Sequence, residues 1–317
     1  MHPNATNVTR PPSLVDTVAA GFRTLNQALP ALIVPIILDV WYWVGPRISI
    51  HPLVDWLRAA FDPEAWQLIR SRIDPALLTE RLFDLKFTGR LEGQVPFWQR
   101  VHTLEPNITP QLFAPATWHV GSWLTLLGAI VVINIVLTLL TALYLLPLAD
   151  IVRGTTAPRS WLQRVARAWV SQLGVLGIVL SLLIVIGIPL LTVAGVSSAV
   201  SPLLGNVITV FAIAVILWIF FTASFAYDAI VLSGAGPIGA VLASLLVIRT
   251  SFWGAAGLHL LSFFILAGLN VIWQNLTGSV PGLILAILSS AYIGAGLTAA
   301  HLVFYRDRLP TSAARPT

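Results

Sequence analysis

The feature that most limits what this chain can fold into is a series of apolar runs at 29–44, 122–148, 174–196, 204–227, 252–273 and 280–305, in which Asp39 is the only charged residue. A helix needs about 20 apolar residues to cross the hydrocarbon of a bilayer, and only helices and closed barrels satisfy their backbone there. Helical period and length favour helices. With 57% of residues apolar and 10% charged, the composition lies well outside that of soluble domains, which carry about 25% charge. The expected class is an all-α membrane protein with six transmembrane helices.

The runs fall into pairs, and each pair is preceded by an amphipathic segment. Ser13 with Asp16 has the spacing of a capping box, followed by Leu14, Val18, Phe22, Leu25 and Leu29 at helical period, with Asp16, Thr17, Arg23 and Thr24 off that stripe. Ser160 with Gln163 repeats the box ahead of Trp161, Val165, Trp169 and Leu173, and Gly236-Pro237 opens a third such segment with Ile238, Leu242, Leu245 and Ile248. The chain therefore reads as three tandem repeats of an interfacial amphipathic helix plus a transmembrane hairpin. Repeat 1 covers 13–154, with interfacial helix 13–28 and spans 29–44 and 122–148. Repeat 2 covers 155–234, with helix 160–173 and spans 174–196 and 204–227. Repeat 3 covers 236–310, with helix 237–250 and spans 252–273 and 280–305. Residues 1–12 and 311–317 are expected to be disordered tails. Pro30, Pro35 and Pro189 are the expected bends.

Residues 46–118 interrupt the first hairpin with a segment of soluble composition. Its three short apolar faces predict a helical cap. The segment is neutral, eight acids against eight bases, whereas the other basic residues (Arg10, Arg23, Arg153, Arg159, Arg164, Arg167, Arg249, Arg306, Arg308 and Arg315) occupy alternate connections and the two ends. The positive-inside rule then puts both termini in the cytoplasm and the cap outside, in a bacterial inner (plasma) membrane. The basic residues form no readout face for nucleic acid, so no nucleic-acid partner is expected.

Asp150, Asp228 and Asp307 recur at the cytoplasmic ends of the even-numbered spans. Each is expected to pair with an arginine of an interfacial helix, drawn from Arg23, Arg164, Arg167 and Arg249, and to pin that helix to the bundle. Asp39, Asn134, His259, Asn270 and His301 are the polar candidates inside the membrane. Asp39 is expected to be wetted or paired with the cap, Asn134 to bond between helices, and His259 to approach His301 as a packing pair. Ser290, Gly294 and Thr298, with Ala291, Ala295 and Ala299, give the last span a small face suited to a central position.

Catalytic signals are sparse. The chain has no cysteine, no His-Glu-x-x-His run and no Gly-x-Ser-x-Gly elbow, which leaves the common thiol, zinc and serine chemistries without their residues. Gly234-Ala-Gly236-Pro-Ile-Gly239 matches the dinucleotide fingerprint, but membrane spans flank it and no acid lies between Asp228 and Asp307 to hold a ribose. A helix start explains it better. No catalytic, cofactor-binding or metal-binding residue is assigned, and no cofactor is expected.

Gly234 to Trp253 and Phe304 to Arg308, with Ala20 to Val40 in support, carry a resemblance to uncharacterised bacterial six-span integral membrane proteins. The chain is similar in this to the membrane domain of glycerophosphoryl diester phosphodiesterases. In that group hydrolysis belongs to a separate soluble barrel with no counterpart in this sequence, so the resemblance implies topology and not hydrolysis. The function expected is that of a non-enzymatic scaffold, regulator or accessory of an envelope or transport process, with a small-solute transporter or channel as the alternative and an intramembrane enzyme third. The partners expected are the lipid bilayer and other membrane proteins or further copies of the chain.

Overall fold

A computed structural model describes residues 12–44, 47–49, 56, 58–59, 62–64, 66–67, 117–154, 160–276 and 278–308. The elements are α1 (Leu14–Gln27), a 3-10 turn (Leu29–Leu32), α2 (Ile33–Val44), β1 (Arg47–Ser49), β2 (Thr117–His119), α3 (Trp123–Arg153) and α4 (Trp161–Leu182). A π-helical turn (Leu183–Gly187) follows, then α5 (Ile188–Val200), α6 (Pro202–Ala223), α7 (Ala226–Ser233), α8 (Pro237–Thr250), α9 (Phe252–Leu276) and α10 (Val280–Arg308). Five stretches are long and apolar enough to cross a membrane: Trp123–Arg153, Trp161–Val200, Pro202–Ser233, Phe252–Trp273 and Val280–Arg308. A sixth follows if α1 and the segment Leu29–Trp41, bent from one another by 93°, count as one span. This is the architecture of an integral membrane protein. The expected tails and most of the expected cap lie outside the described residues.

The chain divides into two compact units. One comprises the residues up to Leu29, Leu145–Phe263 and those from Ala295 on; the other comprises Pro30–Tyr144 and Phe264–Gly294.

In the first unit α1 opens on the predicted capping box: Ser13 Oγ accepts from the Asp16 amide at 3.2 Å and Asp16 accepts from the Ser13 amide at 3.3 Å. The second predicted box does not form, because Ser160 stands at the N-cap of α4 without a side-chain bond to the helix. Nor does α4 stop at 173. It runs unbroken through that position because Val170 to Leu182 contain no proline, and Gly174 seats directly against the Pro237 ring, 2.7 Å from Pro237 Cβ to a Cβ built there. The first unit also holds the two left-handed glycines found among the described residues. Gly154 (φ 69) and Gly234 (φ 67) end α3 and α7 in a conformation that costs other residues about 1 kcal/mol or more.

The faces that these helices turn inward mix stripe residues with small and hydroxylated ones: Leu25 of α1, Val165 of α4 and Ile248 of α8 are buried, and Asp16, Arg23, Arg167 and Arg249 are exposed. On α8, Ala240, Ser244 and Val247 are buried while Ile238, Leu242 and Leu245 are exposed. On α1, Thr17, Gly21 and Thr24 are buried although they lie off the apolar stripe, and Val15 is exposed. Lipid tails are as apolar as leucine, so large apolar side chains gain nothing by leaving lipid, and small residues gain close packing by facing another helix. A Cβ added to Gly21 would meet the backbone amide of Ala300 and lie 2.6 Å from the Gly296 carbonyl, while Gly296 in turn faces the Phe22 ring. The same preference shows along α10. In its most apolar window 67% of residues are buried, against 17% in the other four spans.

In the second unit the 3-10 turn and α2 form the first apolar stretch. Four residues at about 2.0 Å and twelve at about 1.5 Å give it a length of about 26 Å, slightly under a hydrocarbon core of about 30 Å. Immediately beyond it β1 pairs with β2 in parallel, Arg47 with Thr117 through Ser49 with His119. A parallel pair requires a long crossover, and residues 50–116 supply one. The expectation of a purely helical cap is corrected at its two ends, which this ladder holds together. Trp56, Arg58, Ala59, Pro63, Glu64, Trp66 and Gln67 are helical.

Replacing Gly21 by Ala is expected to lower unfolding stability in detergent by roughly 1–3 kcal/mol through overpacking against Ala300. Gly128, whose added Cβ meets nothing within 4 Å, is the control. Gly128→Ala is expected to be neutral or slightly stabilising when both variants are followed by tryptophan fluorescence on heating.

Candidate functional site

The three recurrent aspartates have different fates. Asp150, at the end of α3, receives a two-pronged bond from Arg164 of α4, Nη1 to Oδ1 at 2.6 Å and Nη2 to Oδ2 at 2.8 Å, and a further bond from Arg153 at 3.2 Å. Both partners are largely buried, with 13% and 19% of their side chains exposed. Such forked pairing is the strongest form of this interaction. Asp307 bonds its chain neighbour Arg306, whose Nη1 also reaches the Val152 carbonyl at 2.9 Å.

Asp228 departs from the expected scheme. It is 1% exposed, its Oδ2 has no hydrogen-bond partner, and no arginine pairs with it among the described residues. Arg23, Arg167 and Arg249 are exposed and form no ion pair among the described residues. The expected pinning of interfacial helices is thus realised for Asp150 with Arg164 and corrected for Asp228 and Asp307. The reason is positional. Arg164 is the fourth residue of α4, whereas the fourth residue of α8 is Ala240, fully buried.

Asp228 belongs to a break in its span. The fourth apolar run stops being helical at Ser224 and Phe225, between α6 and α7, and Phe225 takes φ −95 and ψ 6. Ser244 of α8 bridges the gap, accepting from the Phe225 amide at 3.0 Å and donating to the Thr222 carbonyl at 2.7 Å. Breaks in spans persist where side chains from neighbouring helices complete the freed backbone groups. The bridging serine lets the Phe225 ring project into the bundle. Its centroid lies 5.3 Å from His259, 5.7 Å from His301, 5.4 Å from Phe304 and 6.5 Å from Tyr305.

The two histidines come together as expected, edge to face with centroids 4.7 Å apart. His259 Nδ1 lies 2.9 Å from the Ala255 carbonyl. A carbonyl only accepts, so Nδ1 carries the hydrogen and Nε2 of a neutral ring is an acceptor. His301 contacts Ser262 Oγ through Nε2 at 3.4 Å. Both remaining ring nitrogens, His259 Nε2 and His301 Nδ1, are buried without a partner. So are Ser224 Oγ beside Phe225, Asp228 Oδ2 one turn after it, Thr298 Oγ1 one turn before His301 and Tyr305 Oη one turn after it. Gln172 on α4, which packs against α7 and α8, is fully buried with both amide ends unpaired. Buried polar atoms in native proteins are nearly always paired, so a concentration of orphans marks a place that holds water, an ion or a ligand.

Outside this cluster the polar candidates are satisfied locally. Asp39 is buried, where a wetted carboxylate was one expectation, and accepts from Ser290 Oγ of α10 at 2.6 Å. Asn134 donates to the Ile130 carbonyl of its own helix at 2.8 Å, where a bond between helices was expected. Asn270 is partly buried. Sequence reasoning found the histidines and Asp228 but missed Gln172, Ser224, Phe225, Ser244, Thr298 and Tyr305. The signal available for the break was Ser224 in the midst of an apolar run, with Ser244 at a comparable depth two elements on.

Gly234 and Gly236 of the apparent dinucleotide fingerprint form a helix-to-helix turn, the first as the left-handed cap of α7 and the second as the N-cap of α8. Among the described residues no three or more His, Asp or Glu side chains are grouped to hold a metal ion. Comparison with protein-family models, with curated proteins and with solved structures gives no match.

Asp150→Asn leaves the largely buried Arg164 with a neutral partner and is expected to cost roughly 1–3 kcal/mol in detergent stability. Asp228→Asn orphans no cation and is expected to leave stability unchanged or raised; equal losses in the two variants would contradict the different environments described for them.

Proposed function

We propose that this protein is a small-solute transporter of a bacterial inner membrane and that the orphaned polar groups around Phe225 are its solute site. The observation that carries this reading is their concentration at a break in a membrane span. A discontinuous helix frees backbone groups that, with polar side chains, can meet a solute, and here the break lies towards the cytoplasmic end of its span. Ionisable side chains inside a membrane are costly to keep and serve function by default. The lining offers hydroxyls, an amide, two imidazoles and a carboxyl, a set suited to a small polar solute that is neutral or cationic.

The reading includes the three-repeat plan, with both termini cytoplasmic and residues 46–118 outside. In its support, Asp150 and Asp228 each precede a left-handed glycine, Gly154 and Gly234, that ends the helix. The arginine distribution supports the orientation. The membrane domain of glycerophosphoryl diester phosphodiesterases remains a proposed relative in topology, and no enzymatic activity is proposed.

A second reading, a non-enzymatic scaffold or accessory that binds other membrane proteins or further copies of itself, is favoured by the small-residue face of α10. Ala291, Ala295 and Ala299 are fully buried there, as in a dry structural seam.

The readings separate in a solute screen on the protein in nanodiscs. Transport predicts that members of a class of small polar neutral or cationic solutes raise the unfolding temperature of the wild type, with the shift reduced in Gln172→Leu and Thr298→Val. A screen in which no solute shifts unfolding, together with stoichiometric co-purification of one membrane partner, would reject transport in favour of the scaffold.

A further inference from the structure

We propose that His259 and His301 form a single proton-binding site that couples the transporter to the proton gradient. This rests on the transport reading above and adds the coupling ion to it. Each imidazole is anchored by one nitrogen, His259 to the Ala255 carbonyl and His301 to Ser262, and each presents its other nitrogen, buried and unpartnered, within a pair of rings 4.7 Å apart. A packing pair has no need of that arrangement. In a satisfied core histidine both nitrogens find partners, and here both unanchored nitrogens lack one.

The surroundings decide what can occupy the site. Phe221 and Phe225 stand edge-on to the His259 ring at 5.4 and 5.3 Å, and Phe225 also covers His301 at 5.7 Å, so the walls are aromatic. No third carboxylate or imidazole joins the pair to make a metal site among the described residues. A proton needs only one acceptor and no coordination shell. The neutral His259 tautomer supplies that acceptor at Nε2, and a proton arriving there leaves an imidazolium whose charge the adjacent neutral ring and the aromatic faces can partly stabilise.

The other titratable or charged groups about the pair are Asp228 from α7, Tyr305 from α10 and Arg308 from α10, whose guanidinium lies 3.6 Å from the centroid of the Phe304 ring that stacks on Phe225. Asp228 and Tyr305 are buried and each has an unpartnered oxygen. The remaining contacts, Ser262 from α9 and Phe304 from α10, do not titrate. The charged residues of α1, Asp16 and Arg23, are exposed. Asp228 and Tyr305 lie towards the arginine-rich ends of their helices, one turn beyond Phe225 and His301. They are therefore placed to hand a proton between the pair and that side of the protein.

The test uses the full chain in liposomes loaded with a pH-sensitive dye, with an inside-negative potential set by valinomycin-mediated potassium efflux. Wild-type vesicles are expected to acidify faster than protein-free vesicles, and His259→Phe and His301→Phe to fall to the protein-free rate while unfolding at the wild-type temperature. Should either phenylalanine variant unfold early, Ser262→Ala, which removes only the anchoring hydroxyl, is expected to slow entry. Ser181→Ala, at an exposed hydroxyl bonded to its own helix, is expected to match the wild type. No acidification above the protein-free rate, or acidification unchanged in the histidine and Ser262 variants, overturns the proton site. The solute screen is read separately. Solute binding without proton entry removes the coupling and keeps the transporter, whereas proton entry with no solute response removes the transporter reading and leaves a proton-binding pair.

Discussion

A polar atom inside a bilayer has no water to bond, so its partner must come from the protein, and this requirement sorts nearly every polar residue in the spans of this chain. The common solution is the cheapest one. Thr138, Thr141, Ser181, Thr192, Ser198, Thr209 and Ser289 each turn their hydroxyl back onto a carbonyl of the preceding turn of their own helix, at 2.7 to 2.9 Å. Asn134 does the same with its amide. None of these residues needs a neighbour, so the helices that carry them remain free to present apolar side chains to lipid. Ser244 is the exception that matters for architecture. Its hydroxyl is spent on another helix, where it completes the backbone at Thr222 and Phe225 and so permits a break that the hydrocarbon would otherwise forbid.

Close packing follows from the same solvent. Hydrophobic burial does not bring helices together when lipid is as apolar as the core, which leaves van der Waals contact between backbones as the main attraction. Gly21 against Ala300, and Gly174 against Pro237, are places where a single methyl group would separate the elements. Large residues such as Ile238 and Leu242 are displaced outward by the same logic. Small and hydroxylated residues therefore exchange places with some of the large apolar ones, while stripe residues such as Leu25 and Ile248 stay inside. Thr17 and Thr24, which look like the water side of α1, are its packing side.

That exchange explains what was legible in the sequence and what was not. Length and absence of charge identify the apolar spans, because crossing hydrocarbon requires both, and the Ser13 box marks the start of α1 because a cap is a local interaction. The histidine pair was legible from depth alone. The burial of Thr17, Gly21 and Thr24 was not, since the hydrophobic preference depends on a solvent that a helical wheel does not contain. The parallel ladder at Arg47 and Thr117 was equally hidden, because it joins residues far apart in the chain through three backbone pairs with no side-chain signature.

The contrast between Asp150 and Asp228 was written in the chain as a spacing. A carboxylate that ends one helix meets an arginine on the next only if the turn between them brings the two into register, and fourteen residues achieve this at Asp150. The turn at Gly154 and the turn at Gly234 are of the same left-handed kind, yet the fourth residue of α8, where α4 has Arg164, is Ala240, and Arg249 lies near the far end of α8. An acid without its cation in so apolar a setting is costly to keep, and replacing Asp228 by an apolar residue would remove that cost. A purely structural role would have favoured such a replacement or an arginine in the first turn of α8. That neither is present, and that the unpaired carboxyl sits one turn from the ring bounding the two half-satisfied histidines, favours a site kept for use over a defect of packing.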